Sequence, residues 1–166
     1  MIVGIDPGPR ESAIVAFDGE RVLSAEDVAN EEVSDVIRRL DDIELIEDVS
    51  IEWIESFGMA VGASVFETVF AIGSITRQTQ FYGFDVRLVP RRDVKINICK
   101  SPKAKDANIR QALIDRFGEV GTKKNPGPLF GISKHRWAAL AIAVTAFDLP
   151  KTDNEAFFHL ESTDAS

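Results

Sequence analysis

MIVGIDPGPRESAIVAFDGERVLSAED, residues 1–27, holds three short apolar runs separated by two turn signals. The first run, MIVGID, stops at Asp6-Pro7-Gly8-Pro9, where proline and glycine end a strand and reverse the chain. SAIVAFDG (12–19) reads as a second strand and, after the Asp18-Gly19-Glu20 turn, RVLSAED (21–27) as a third. Connections this short leave room only for an antiparallel meander. Further on, Val33, Val36, Ile37 and Leu40 recur at helical spacing, with Asn30 or Ser34 as the N-cap. After the acidic stretch DDIELIEDV, the run VSIEWIES (49–56) suggests a fourth strand through Val49, Ile51 and Trp53. Residues 62–80 suit a long helix whose apolar face (Val65, Phe66, Val69, Phe70, Ile72, Gly73, Thr76) is wider than one sheet contact needs. Either the helix is buried within the chain, or part of that face meets a partner subunit. FDVRLVP (84–90) is a fifth strand closed by Pro90, ANIRQALIDRFG (107–118) a helix ended by Gly118, and HRWAALAIAVTAFD (135–148) a nearly all-apolar, buried helix. The order βββαβαβαα implies an α/β fold, a mixed five-stranded sheet with helices on its faces.

A chain of 166 residues suits one domain, expected over 1–150, with 151–166 as a flexible tail poor in core positions. Hydrophobic residues at 45% and charged ones at 28% have the proportions of a globular domain, and no apolar run approaches the roughly 20 residues of a membrane span. MIVGID lacks the basic start of a secretory signal, and the single Cys99 precludes an intrachain disulfide, so a cytoplasmic location is expected, with Cys99 read as packing. The net charge of −8 argues against a polyanionic partner until its distribution is examined. Residues 86–136 carry 13 Lys and Arg against 4 Asp and Glu, a local charge of +9, which leaves −17 on the remainder. A polyanion is drawn to one region and repelled by the rest.

Three residues far apart in the chain suggest chemistry. Asp6 ends the first strand, where a fixed carboxylate can hold a hard cation and the small Gly8 leaves room for a phosphate; taken alone, Asp-Pro-Gly is simply a good turn. Glu52 sits inside an apolar strand, opposite in face to Ile51 and Trp53 and alongside Ile54, a costly position unless the carboxylate is paired or bound to metal. Glu55, nearer the strand end, competes with it locally. His135 opens the last helix and is its one plausible ligand before Asp148. Such a set suits phosphodiester hydrolysis with two divalent ions about 4 Å apart, Asp6 bridging them and Glu52 and His135 on separate sides. Lys100, Lys103 and Lys105 in CKSPKAKD are placed to meet a phosphate or hold a strand. Arg91, Arg92, Lys123 and Lys124 extend this basic set as DNA contacts. Asp106 reads as a helix cap and as a reserve ligand.

Together these residues resemble the RuvC-type Holliday junction resolvases of the RNase H-like superfamily, and more closely a phage-encoded branch of them. The resemblance rests on GIDPG (4–8), IEWIESFGMAVGASVFET (51–68), KSPKAKDANIRQALIDRFG (100–118) and GISKHRWAALAIAVT (131–145), in the family's order and at similar spacing across nearly all the folded part. It implies an RNase H-like fold and a homodimer formed through the helix around 62–80. The implied activity is magnesium-dependent nicking of four-way junctions, with manganese as a substitute metal, and a bacterial host cytoplasm as the setting. It places the family's first aspartate at Asp6, its strand-borne glutamate at Glu52 and its basic active-site residue at Lys105. Many members carry two aspartates three residues apart at the start of the last helix; here those positions are His135 and Ala138. The missing second acid predicts weaker binding of one ion, or a preference for manganese.

Three other readings compete. Actin-like phosphotransferases also begin with a strand ending in Asp-x-Gly, but 166 residues leave no room for their second domain. A non-catalytic binder of branched DNA is favoured by Ala138 and the net charge, and disfavoured by the joint presence of Asp6, Glu52 and His135. A nuclease acting on flaps, forks or simple duplex would carry the same catalytic residues.

Overall fold

The computed structural model describes residues 1–55 and 62–149. Five strands, β1 (Ile2–Pro7), β2 (Glu11–Phe17), β3 (Val22–Ala29), β4 (Asp48–Trp53) and β5 (Val86–Pro90), form one sheet in the order β3-β2-β1-β4-β5. The meander expected at the start of the chain is present, with β1–β2 and β2–β3 antiparallel, and β4 and β5 then add in parallel to β1 and to each other. Its second turn is held by the Asp18 carboxylate, which accepts hydrogen bonds from the backbone N–H groups of Glu20 and Arg21, each at 2.8 Å. Being flanked on both sides, β1 and β4 are buried on both faces, which is why their sequences read as nearly continuous apolar runs.

Alternation sorts the side chains into two cores. Val3, Ile5, Ile14, Ala16, Val49 and Ile51 point to one face, where α1 (Val33–Asp41) and α2 (Ala63–Phe81) cover them with Val33, Val36, Ile37, Leu40, Ile72 and Ile75. Ile2, Ala13, Val15, Phe17 and Val89 point to the other. There α3 (Arg91–Cys99), α4 (Asp106–Phe117) and α5 (Arg136–Asp148) pack, with α5 lying directly over β1 and β2. Each large aliphatic side chain buried in this way contributes about 1.5–3 kcal/mol.

The α5 face is the more tightly drawn. A Cβ at Gly4 would sit 2.2 Å from the Ala139 carbonyl oxygen and 2.7 Å from the Ala143 nitrogen, so only glycine lets helix backbone rest on strand backbone. Both ends of α5 are clamped. Arg136 Nη2 lies 2.9 Å from Asp27 Oδ2, and at the far end Asp148 accepts from Arg116 at 2.6 Å and from Asn97 at 2.8 Å.

Three local readings change. Neither Asn30 nor Ser34 caps α1; its N-cap is Glu32, and Asn30 falls in a short 3-10 turn, Asn30–Glu32. The Asn30 side chain instead accepts from Ser12 Oγ at 2.7 Å and donates to the Gly8 carbonyl at 3.0 Å, tying the end of β3 to the β1–β2 turn. The second change is α3, a helix in a stretch to which the sequence reading assigns no element. Its apolar Val94, Ile96 and Ile98 alternate as in a strand, and only Val94 is fully buried, so the helical period is masked. Third, Asp106 is the first residue of α4, not its cap; the Asn108 side chain accepts from the Lys105 backbone N–H at 2.9 Å and closes that helix start. The expected tail, 151–166, and residues 56–61 of the quoted motif lie outside the described residues.

Candidate active site

Asp6 and Glu52 end up as neighbours because β1 and β4 pair in parallel, Gly4 opposite Ser50 and Ile5 opposite Ile51. The next residues along, Asp6 and Glu52, therefore stand side by side at the strand ends, both on the α5 face. Glu52 lies on an interior strand, not at a sheet edge where its carboxylate could turn to solvent. Their side chains are 13% and 14% exposed, and the two carboxyls lie close enough to share a proton. Burial first, then the Glu52 charge and the hydrogen bond between the two, pushes the Asp6 carboxyl up to about 8, with Arg91 partly opposing the rise. At neutral pH this environment favours the protonated Asp6 carboxyl.

Glu52 is held from the other side. Arg91, the first residue of α3, donates from Nη1 to Glu52 Oε1 at 2.7 Å and from Nη2 to Asp106 Oδ1 at 2.5 Å. One guanidinium thereby links the end of β4 to the starts of α3 and α4, and compensates a carboxylate that has lost most of its water. His135 is the N-cap of α5, 83% exposed, with Nδ1 3.6 Å from Asp6 Oδ2. These groups line an open cleft, joined by Ile109, Trp137, Ala138 and Lys134. A second groove runs from the Pro7–Arg10 turn to the start of α2 at Ser64, Val65 and Thr68, and it shares Asp6, Lys134 and His135 with the first.

The donors suit a hard divalent ion. Two carboxyls on rigid strands and an exposed imidazole lie around Asp6, oxygen and nitrogen donors of the kind a divalent ion takes. The 3.6 Å between His135 and Asp6 is compatible with a shared ion, since cis ligands at about 2.1 Å stand roughly 3 Å apart. The three donors meet as two pairs joined at Asp6, and among the described residues no group of three or more His, Cys, Asp or Glu side chains is placed to hold a metal ion. The reason is visible: Arg91 draws Glu52 toward Asp106, while His135 stays in solvent.

Of the basic residues singled out in the sequence, Arg91 alone lines the cleft. Lys105, N-cap of α4, is exposed and lines neither groove. Arg92, Lys100, Lys103, Lys123 and Lys124 are exposed outside both grooves. Glu55 follows β4 and also lines neither. Gly8 has a structural duty: a Cβ there would meet the Glu11 carbonyl oxygen at 2.6 Å, within the turn that Gly8 N–H closes to that same oxygen at 2.9 Å. Sequence reasoning missed Lys134, which lines both grooves and whose only signal was adjacency to His135, and Trp137, whose place in an apolar helix read as core.

No protein-family model matches the chain, and no curated protein matches it in sequence. Solved structures do match. Thermus thermophilus RuvC superposes with a TM-score of 0.65 at 20% identity, over 88% of this chain and 92% of that one. The same enzyme in complex with Holliday junction substrate matches with a TM-score of 0.65 at 21% identity, again over 88% and 92%. The mixed five-stranded sheet with its flanking helices is the RNase H-like fold in its RuvC form.

Proposed function

We propose that the protein is a divalent-metal-dependent, structure-selective endodeoxyribonuclease that resolves four-way DNA junctions, with flaps and forks as further branched substrates. The observation that carries this reading is the side-by-side placement of Asp6 and Glu52 on adjacent parallel strands, with His135 above Asp6. The junction-bound state of T. thermophilus RuvC supports the substrate class.

Asp6 and Glu52 would hold the metal, with His135 completing the set, and magnesium suits this oxygen-rich donor group. Bound divalent ions supply a hydroxide-like water and neutralise charge on the phosphate. The chain's own groups do the rest. Asp6, raised to about 8, gives up its proton as positive charge arrives. Arg91 fixes the Glu52 carboxylate through Nη1, and Gly4 sets α5 close enough for His135 to reach the same point. Lys105, with Lys100, Lys103, Arg92, Lys123 and Lys124, would grip the backbone of DNA outside the cleft. Ala138, on the cleft wall where an acid would add a further donor, favours manganese as a substitute for magnesium.

The reading includes a homodimer through α2. Phe66 and Phe70 are 65% and 79% exposed on its outer side, with Val69 beside them, and nothing lies within 4 Å of a Cβ placed at Gly73. An apolar strip of this kind on one helix is the usual mark of an association surface.

Incubation with an end-labelled four-way junction in magnesium or manganese tests the proposal. Wild-type protein is expected to introduce nicks, and Asp6→Asn to slow them at least roughly a thousandfold. A non-catalytic junction binder is the second reading, favoured by Ala138 and the open donor set. Tight binding without nicks in either metal would select it.

A further inference from the structure

The two grooves meet at three residues, Asp6, His135 and Lys134, and Lys134 is the one of these that brings an ammonium group. From this junction we infer that Lys134 is the side chain that contacts the scissile phosphate, with the cut strand crossing from one groove to the other over Asp6. The inference deepens the nuclease reading and rests on it.

Backbone geometry gives the first support. Lys134 has φ 48°, a left-handed conformation that glycine adopts freely and lysine does not. The surrounding turn holds it there: Arg136 N–H bonds to the Ser133 carbonyl at 3.0 Å, Arg136 Nη1 to the Gly131 carbonyl at 3.1 Å, and Arg136 Nη2 lies 2.9 Å from Asp27. Gly131, three residues earlier, also has a positive φ, 93°. A glycine at 134 would relieve the strain; the other described non-glycine residue with positive φ, Lys100 at 56°, serves as the C-cap of α3, whereas Lys134 lines both grooves.

Pairing gives the second. The other cation of the cleft, Arg91, is committed to Glu52 and Asp106. The Lys134 ammonium makes no hydrogen bond or ion pair among the described residues. Lys105 is likewise exposed, but it lines neither groove. Lys134 is therefore the uncommitted cation that lines both grooves. An ammonium suits this position, since it meets a phosphate as a point charge from many directions.

Three variants separate charge from backbone. Lys134→Gly removes the charge and the strain together, Lys134→Ala removes the charge alone, and Lys134→Arg keeps the charge. Expected for Lys134→Gly is a melting temperature equal to or above wild type, with single-turnover junction cleavage at saturating protein at least 10-fold slower. Lys134→Ala should be as slow, and Lys134→Arg should recover to within a few-fold of wild type. Junction affinity against salt should also lose slope, by about 0.9 per lost phosphate contact. Wild-type rates and an unchanged salt slope in Lys134→Gly would overturn the inference, because a residue needed only for the turn is replaced by glycine without loss. If wild-type protein binds junctions without cutting them, the nuclease reading falls, and the salt slope alone then decides whether Lys134 touches phosphate. Absence of any DNA binding by wild-type protein overturns both.

Discussion

The two faces of the sheet are built from different material. Toward α1 and α2 the core is mainly Val, Ile and Leu. Toward α5 the core also holds Leu113, Leu129, Leu140 and Ile142, but where α5 crosses β1 it sets Ala139 and Ala143 against Gly4, so backbone approaches backbone there. The difference shows what the close packing is for. A carboxylate as short as that of Asp6 meets a residue at the start of a helix only if the helix lies almost on the strand. The aliphatic face toward α1 and α2 packs side chain on side chain, and the alanine face toward α5 has the site.

The sharpest way to break the comparison is to add one carbon to each face's contact with β1. Gly4→Ala should lower stability by about 3 kcal/mol, since the new Cβ meets helix backbone that cannot rotate away, and it should depress cleavage further by lifting His135 from Asp6. Ile5→Val, on the aliphatic face, should cost about 1 kcal/mol and leave cleavage intact. Thermal melts and a junction assay on both variants decide it; equal losses of activity would mean that the alanine face has no special role.

Arg91→Ala comes next, at about 2 kcal/mol without metal, below the full cost of breaking a buried pair because Arg91 is 30% exposed. Calorimetry in chelator and then in magnesium should show part of that loss restored, as a divalent ion takes over the compensation of Glu52. A loss that metal leaves unchanged would count against metal binding at Glu52.

A smaller effect follows from the Asp6 carboxyl. Its pKa is raised from 3.8 to about 8, so it favours the folded state fully below pH 3.8 and loses that advantage as pH climbs toward 8. Asp6→Asn, neutral throughout, should therefore melt about 3 °C or more above wild type at pH 7.5 in chelator, with no gain near pH 4. A gain that is the same at both pH values would show that Asp6 is not held protonated. Smallest in stability is Phe70→Glu on the outer side of α2, expected within about 0.5 kcal/mol of wild type at the level of the protomer. Light scattering should nonetheless report the protomer mass in place of twice that value; an unchanged mass would remove α2 as the dimer surface.

The strands were legible because β1 and β4 are interior and their apolar runs are bounded by turn chemistry at Asp6-Pro7-Gly8 and Asp18-Gly19. The α5 helix was legible from composition. Helix α3 was not, since Val94, Ile96 and Ile98 carry a strand-like period and most of its surface stays exposed. Within the site, Asp6 and Glu52 could be singled out because a carboxylate at the end of, or inside, an apolar strand is costly. The Arg91 bridge to Glu52 and Asp106 could not, because it spans 39 and 15 residues of sequence and depends on where α3 lies.

By itself the sequence determined which residues alternate, where the chain turns and which acids sit in expensive places, since these follow from local period and solvation. Tertiary structure alone decided that β1 and β4 pair in parallel with Asp6 beside Glu52, that glycine and alanine bring α5 down onto them, and that a strained lysine stands where two grooves cross. Pairing register and helix height are properties of the assembled core, and no window of sequence contains both partners.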